Sequence, residues 1–126
     1  MAPPEVQFFS MIELEKARAQ LGSRYFEFLR VPAMTSGVYT LPAGSVDPQQ
    51  PHHEDEMYYI VRGRARFQTG SKVRREKDRQ AEDQQKEEDR EVGAGDLIFV
   101  GAGMPHRFHA ITEDLTVLVF FAPAES

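Results

Sequence analysis

All four histidines of the chain fall in two short clusters: His52 and His53 in PQQPHHEDEMYY, and His106 and His109 in GMPHRFH. On an extended segment, residues two apart face the same side, so Gln50 and His52 point together while His53 points away. Glu56 follows His52 by four residues, far enough for a turn, and opens the apolar run Met57–Val61. An imidazole nitrogen, a carboxylate oxygen and an amide oxygen are all competent ligands for a divalent transition metal. The second cluster adds another imidazole, His106, just after Gly101-Ala102-Gly103. Two histidines and one carboxylate make a facial triad with open coordination positions, the arrangement of non-haem iron oxygenases. The competing reading is a set of loop polar residues that hold no ion. His109, three residues past His106, takes the opposite face of a strand and reads as surface or interface. Tyr58 and Phe108 share the inward phase of Glu56 and His106, so they either line a pocket or pack the interior.

No other chemistry competes. The absence of cysteine removes disulfides, thiolate ligands and cysteine nucleophiles together. The chain has no phosphate-cradling Gly-rich loop with Lys-Ser/Thr, no G-x-S-x-G elbow and no H-E-x-x-H helix. A net charge of −5 gives no footing for nucleic acid or an anionic membrane surface. No run approaches the roughly 18 apolar residues of a membrane span, and MAPPEVQFF lacks the basic-then-apolar order of a signal peptide. A cytoplasmic protein is the expectation.

The elements that must position these side chains are short. Ser10 to Glu13 has the form of a capping box, Phe9 and Leu14 sit at the positions of a hydrophobic staple, and Leu14, Ala17 and Leu21 follow at helical spacing up to Gly22. One helix over 10–22 is expected. Beyond it the pattern turns extended: Tyr25–Val31, Gly37–Leu41, Met57–Val61 halting at Arg62-Gly63, Arg64–Phe67, Asp96–Val100 and Leu115–Phe121. Short strands punctuated by Gly and Pro indicate an all-β sandwich or barrel. Met57–Val61 and Leu115–Phe121 are apolar on both faces and need a second layer outside. The helix covers part of that surface on this reading, and a second copy of the chain, as a homodimer, covers the rest.

Residues 72–91 differ from everything else. Fifteen of the twenty are charged, with seven positive and eight negative, and only Val73 and Ala81 are apolar, so the segment reads as a solvated insertion.

The His-containing segments resemble the two motifs of the cupin superfamily. The first runs Gly, five residues, His-x-His, three or four residues, Glu, six residues, Gly; here Gly44, Gln50, His52, Glu56 and Gly63 stand at those spacings, with Gln50 where the family has its first His. The second runs Gly, five residues, Pro-x-Gly, two residues, His, three residues, Asn; here it reads Gly95, Gly101, Gly103, His106 and Ala110, with Gly101 for the Pro and Ala110 for the Asn. The likeness covers about residues 36–122. It implies an all-β, single cupin-type β-barrel, a jelly-roll-like double sheet with one short N-terminal helix. The domain then spans 1–126, with a lead-in at 1–9, the helix at 10–22, the barrel at 23–122 and the charged insertion at 71–92 on a hairpin tip. It further implies one divalent transition metal (Fe, Mn, Ni or Zn) at Gln50, His52, Glu56 and His106, and a small organic ligand or substrate. A metalloenzyme of dioxygenase or isomerase type is the expected function, and a non-catalytic ligand-binding or sensing module with a weakened site is the alternative. Gln50 is the informative departure, because its neutral amide oxygen is a weaker donor than imidazole.

Overall fold

A computed structural model describes residues 5–48, 51–70 and 87–126. Gln50 and residues 71–86 of the charged segment lie outside the described residues. The elements run α1 (Met11–Leu21), β1 (Tyr25–Val31), β2 (Met34–Leu41), β3 (Asp55–Thr69), β4 (Glu88–Gly93), β5 (Leu97–Val100) and β6 (His106–Ala122). The chain is all-β with one short helix. All strand pairings are antiparallel, in the order β1-β2-β6-β3-β4, with β5 also paired to β3.

The helix begins at Ser10, whose backbone carbonyl accepts from Leu14 N at 2.9 Å, and stops at Gly22 in the left-handed region, φ 73. The capping-box expectation fails at the side chain: Ser10 makes no side-chain cap bond. Phe9 stacks edge-on against Phe28 of β1, ring centroids 4.8 Å apart. The helix packs on β1 and β2, and its Glu15 reaches across to pair with Arg62 of β3, which also bonds Thr116 of β6.

Two strands are longer than their sequence pattern suggests. Met57–Val61 and Arg64–Phe67 are one fifteen-residue strand, and Leu115–Phe121 is the end of a seventeen-residue strand. Both change inward phase midway. On β3 the buried residues are Glu56, Tyr58 and Ile60, then Ala65 and Phe67; on β6 the inward ones are His106 and Phe108, then Ile111, Leu115, Val117, Val119 and Phe121, with Thr116 buried on the other face. Three register shifts between Ile60 and Arg66 account for the change, because an extra residue swaps the face of everything after it. Gly63 (φ 104) and Ala110 (φ 47) take the backbone through the bend.

The bend builds the site. His106 pairs with Thr69 at one end of the β3–β6 ladder, and Glu56 pairs with Phe121 at the other. A straight strand would separate Glu56 from Thr69 by roughly 43 Å at ~3.3 Å per residue. The Glu56 carboxylate nevertheless lies 3.2 Å from His106 Nε2. The ladder has folded over into two facing layers, with Tyr58, Phe67, Phe108, Leu115 and Val117 among the side chains of the core between them.

The charged insertion is shorter than 71–92. Glu88–Gly93 is β4, hydrogen-bonded to β3, and Val92 is buried in the core. Its charges are matched across the strands, where Arg64 pairs with Glu91 and Arg66 Nε lies 3.0 Å from Asp89 Oδ1.

Candidate metal centre

His52, Glu56 and His106 converge, each offering a ligand atom within 4.8 Å of the others. Three different segments deliver them. His52 lies in the stretch before β3, Glu56 is the second residue of β3, and His106 opens β6. Gln50 lies outside the described residues. His53 is exposed, and His109 turns away to place Nε2 2.9 Å from Asp89 Oδ1. Tyr58 and Phe108 are fully buried beside the cluster, with their rings 5.1 Å apart.

The hydrogen bonds around His106 assign its tautomer. Nδ1 is 2.9 Å from the Met104 carbonyl oxygen, which can only accept, so Nδ1 carries the proton. Nε2 then faces the Tyr58 hydroxyl at 3.0 Å and Glu56 Oε1 at 3.2 Å. Burial lowers the His106 pKa, but the Glu56 carboxylate and the Met104 carbonyl outweigh it, and the net shift is upward. Burial, then the charge of Glu56, pushes Tyr58 well above the ordinary phenol value, so its hydroxyl stays protonated and donates.

Glu56 supplies the sharpest observation. Both of its oxygens are buried and neither receives a well-formed hydrogen bond from a described residue. A buried carboxylate short of donors costs several kcal/mol unless a cation, the protonated His106 ring or a bound metal ion, compensates it. The residues therefore fit a divalent ion. Two imidazoles and a carboxylate form an acceptor-rich pocket whose unmet bonding is what a cation satisfies.

A cavity of about 310 Å³ opens beside the cluster, with His52, Glu56, Val119 and Phe121 in its wall together with Tyr25, Tyr39, Pro48 and Glu125. The Tyr25 hydroxyl is buried there without a partner among the described residues. Its ring lies where a Cβ of Gly37 would be, so the missing side chain at 37 is what admits it. A larger hollow of about 450 Å³ between β4 and β5 holds none of the three candidate ligands.

Sequence reasoning passed over three residues here. Asp47 is buried, accepts from Tyr39 Oη at 2.8 Å and from Phe108 N at 2.9 Å, and thereby fixes the start of β6. Tyr25 was visible only as one member of an aromatic strand. Glu125 places Oε2 3.0 Å from His52 Nδ1, and no local pattern announces it.

Comparison with known proteins gives consistent results. Residues 37–121 match the cupin domain family. An uncharacterized protein of Streptomyces coelicolor is 41% identical over 118 residues, covering 94% of this chain and 97% of that protein. Among solved structures, a Bacillus halodurans protein superposes with a TM-score of 0.69 at 19% identity, over 94% of this chain and 83% of the other. The DMSP lyase DddQ of Ruegeria pomeroyi superposes with a TM-score of 0.59 at 21% identity, covering 82% of this chain. This chain spans only 49% of that enzyme's length. At these identities the structural likeness speaks to the fold. No helix among the described residues is long and apolar enough to cross a membrane.

Proposed function

The chain belongs to the cupin family, and from that premise we propose that it is a metal-dependent enzyme of dioxygenase or isomerase type acting on a small organic molecule. The observation that carries this reading is the buried Glu56 carboxylate, which receives no well-formed hydrogen bond from a described residue and is gathered with two imidazoles. His52, Glu56 and His106 would hold one divalent ion, iron, manganese, nickel or zinc. Such an ion supplies Lewis-acid polarisation of a bound oxygen or, if redox-active, activation of dioxygen. The chain's own residues do the rest. Tyr58 holds a proton beside the ligand set, Val119 and Phe121 keep one wall of the cavity dry, and the unpartnered Tyr25 hydroxyl offers a donor to an oxygen of the substrate. Gln50, at the family's first ligand position, would bind such an ion weakly, hydrogen-bond a water on it, or take no part.

The test is metal content by mass spectrometry of gently purified protein, beside His52→Ala and His106→Ala. Near-stoichiometric metal in the wild type and its loss in both variants is the expected result. A wild-type chain that takes up no metal on titration refutes the reading. The second reading, a non-catalytic binding or sensing module, is favoured by Gln50 in place of an imidazole. Oxygen consumption with catechols, diketones and keto acids separates the two, since a binder turns over none of them.

A second copy of this chain is the partner we propose. Met57 is flanked by Phe99 and Phe120, and Tyr59 by Leu97 and Leu118, which gives two apolar rows of three across β5, β3 and β6. Leu97 and Phe99 are about two-thirds exposed. Patches of this kind mark interfaces. Sedimentation of wild type beside Phe99→Glu tests it: a dimer converted to monomer supports the face, and a wild-type monomer at micromolar concentration removes it. The absence of cysteine suits the reducing cytoplasm.

A further inference from the structure

We infer that Glu125 is a positioning residue for the metal centre, selecting the tautomer in which His52 offers Nε2 to the ion. This rests on the metal reading above and adds to it a residue outside both cupin motifs. Glu125 Oε2 lies 3.0 Å from His52 Nδ1, with both side chains about three-quarters buried. A carboxylate only accepts, so the contact requires the proton on Nδ1 and leaves the lone pair of the neutral ring on Nε2. Metal-binding histidines are ordinarily held this way, by a carboxylate or carbonyl on the nitrogen that does not face the ion, and such partners also raise ligand basicity. The Met104 carbonyl does the same for His106. The two imidazoles are thus oriented by different means, one by the backbone of its own loop and one by a residue from the far end of the chain.

The segment that carries Glu125 is itself tied down. Ala124 N donates to Pro32 O at 3.2 Å, Glu125 N to Thr35 Oγ1 at 3.3 Å, and Arg30 Nη1 to Glu125 O at 3.0 Å. Ser126 donates from N and from Oγ to Glu54 Oε2. These bonds hold the backbone on both sides of Glu125, so its side chain meets His52 from a fixed origin. The His52 ring also rests on Phe121, centroids 4.7 Å apart.

The test compares wild type, Glu125→Leu and Glu125→Gln as full chains, titrated with Co(II) and followed by visible absorption. ¹⁵N imidazole spectra of the metal-free proteins, recorded at alkaline pH, give the tautomer of His52. Removing such a partner weakens metal binding by about 10–100-fold. Glu125→Leu is expected to show that loss, together with a shift of His52 from the Nδ1–H to the Nε2–H form. Glu125→Gln, whose amide oxygen still accepts, is expected to keep the Nδ1–H form and recover most of the affinity. If wild type binds cobalt and Glu125→Leu binds it within twofold, or keeps the Nδ1–H form, the inference falls and the metal centre stands. If wild type takes up no cobalt, both fall.

Discussion

Replacing Glu56 by Gln is expected to remove metal binding and, in the metal-free protein, to raise stability by an amount that grows with pH. Glu56 is 2% exposed and receives no well-formed hydrogen bond from a described residue, so a charge there is held at a cost offset mainly by the His106 ring 3.2 Å away while that ring is protonated. The folded-state pKa of His106 is raised above its ordinary 6.5. The stabilisation from this pair is therefore complete below about 6.5 and is lost as pH climbs through the higher folded value. Above that value, wild type faces a bare Nε2 against a buried carboxylate. Gln has no charge to bury, and its amide N–H donates to Nε2. Relief of one poorly compensated buried charge is worth about 1–3 kcal/mol. For a domain of this size that is about 4–12 °C in Tm. Scanning calorimetry with chelator present, at pH about 5.5 and about 8.5, reads the difference, which is expected to be near zero at the lower pH and largest at the higher. A variant less stable than wild type at both, or a gap that does not change with pH, would refute the placement of a compensated charge at Glu56.

Two backbone substitutions address the bend. At Gly63, with φ 104, an added Cβ would overlap the Asp114 carbonyl oxygen and sit 2.7 Å from Leu115 Cα, so Gly63→Ala is expected to cost about 3 kcal/mol or more by urea unfolding. Gly44→Ala, at φ 79 with open space around it, is the control and loses only about 1–2 kcal/mol. Ala110 holds φ 47 without being glycine, so Ala110→Asn is expected to gain about 0.5–1 kcal/mol in the same assay, because Asn tolerates this region better.

Much of this molecule was legible in its residues. The spacing from Gly44 to Gly63 and from Gly95 to Ala110 pointed to the fold family, and strand phase alone separated His106 from His109. What escaped has physical reasons. Alternation identifies a strand only while its phase persists, and β3 and β6 each reset theirs at the bend, so each read as a fragment. β4 hid among charges because its outward residues pair across the strand with Arg64 and Arg66, leaving Val92 as its one buried side chain. Glu125 has no local signature, since its role depends on the chain returning past His52. The Asn-to-Ala change at 110 looked like a loss from a motif. In the structure it is a backbone position whose positive φ persists with a residue less suited to it.

The fold-over of the β3–β6 ladder makes the three candidate ligands a clasp. They close a hairpin-like bend whose arms would otherwise be free to part, so an ion there would act as a cross-link between the two layers. Ion occupancy and the opening of the layers then become one equilibrium. Slower amide hydrogen exchange through the middle of β3 would report loading as faithfully as any signal from the ligands. A change at Gly63, seven residues along β3 from Glu56, would register as altered metal affinity without touching the ion.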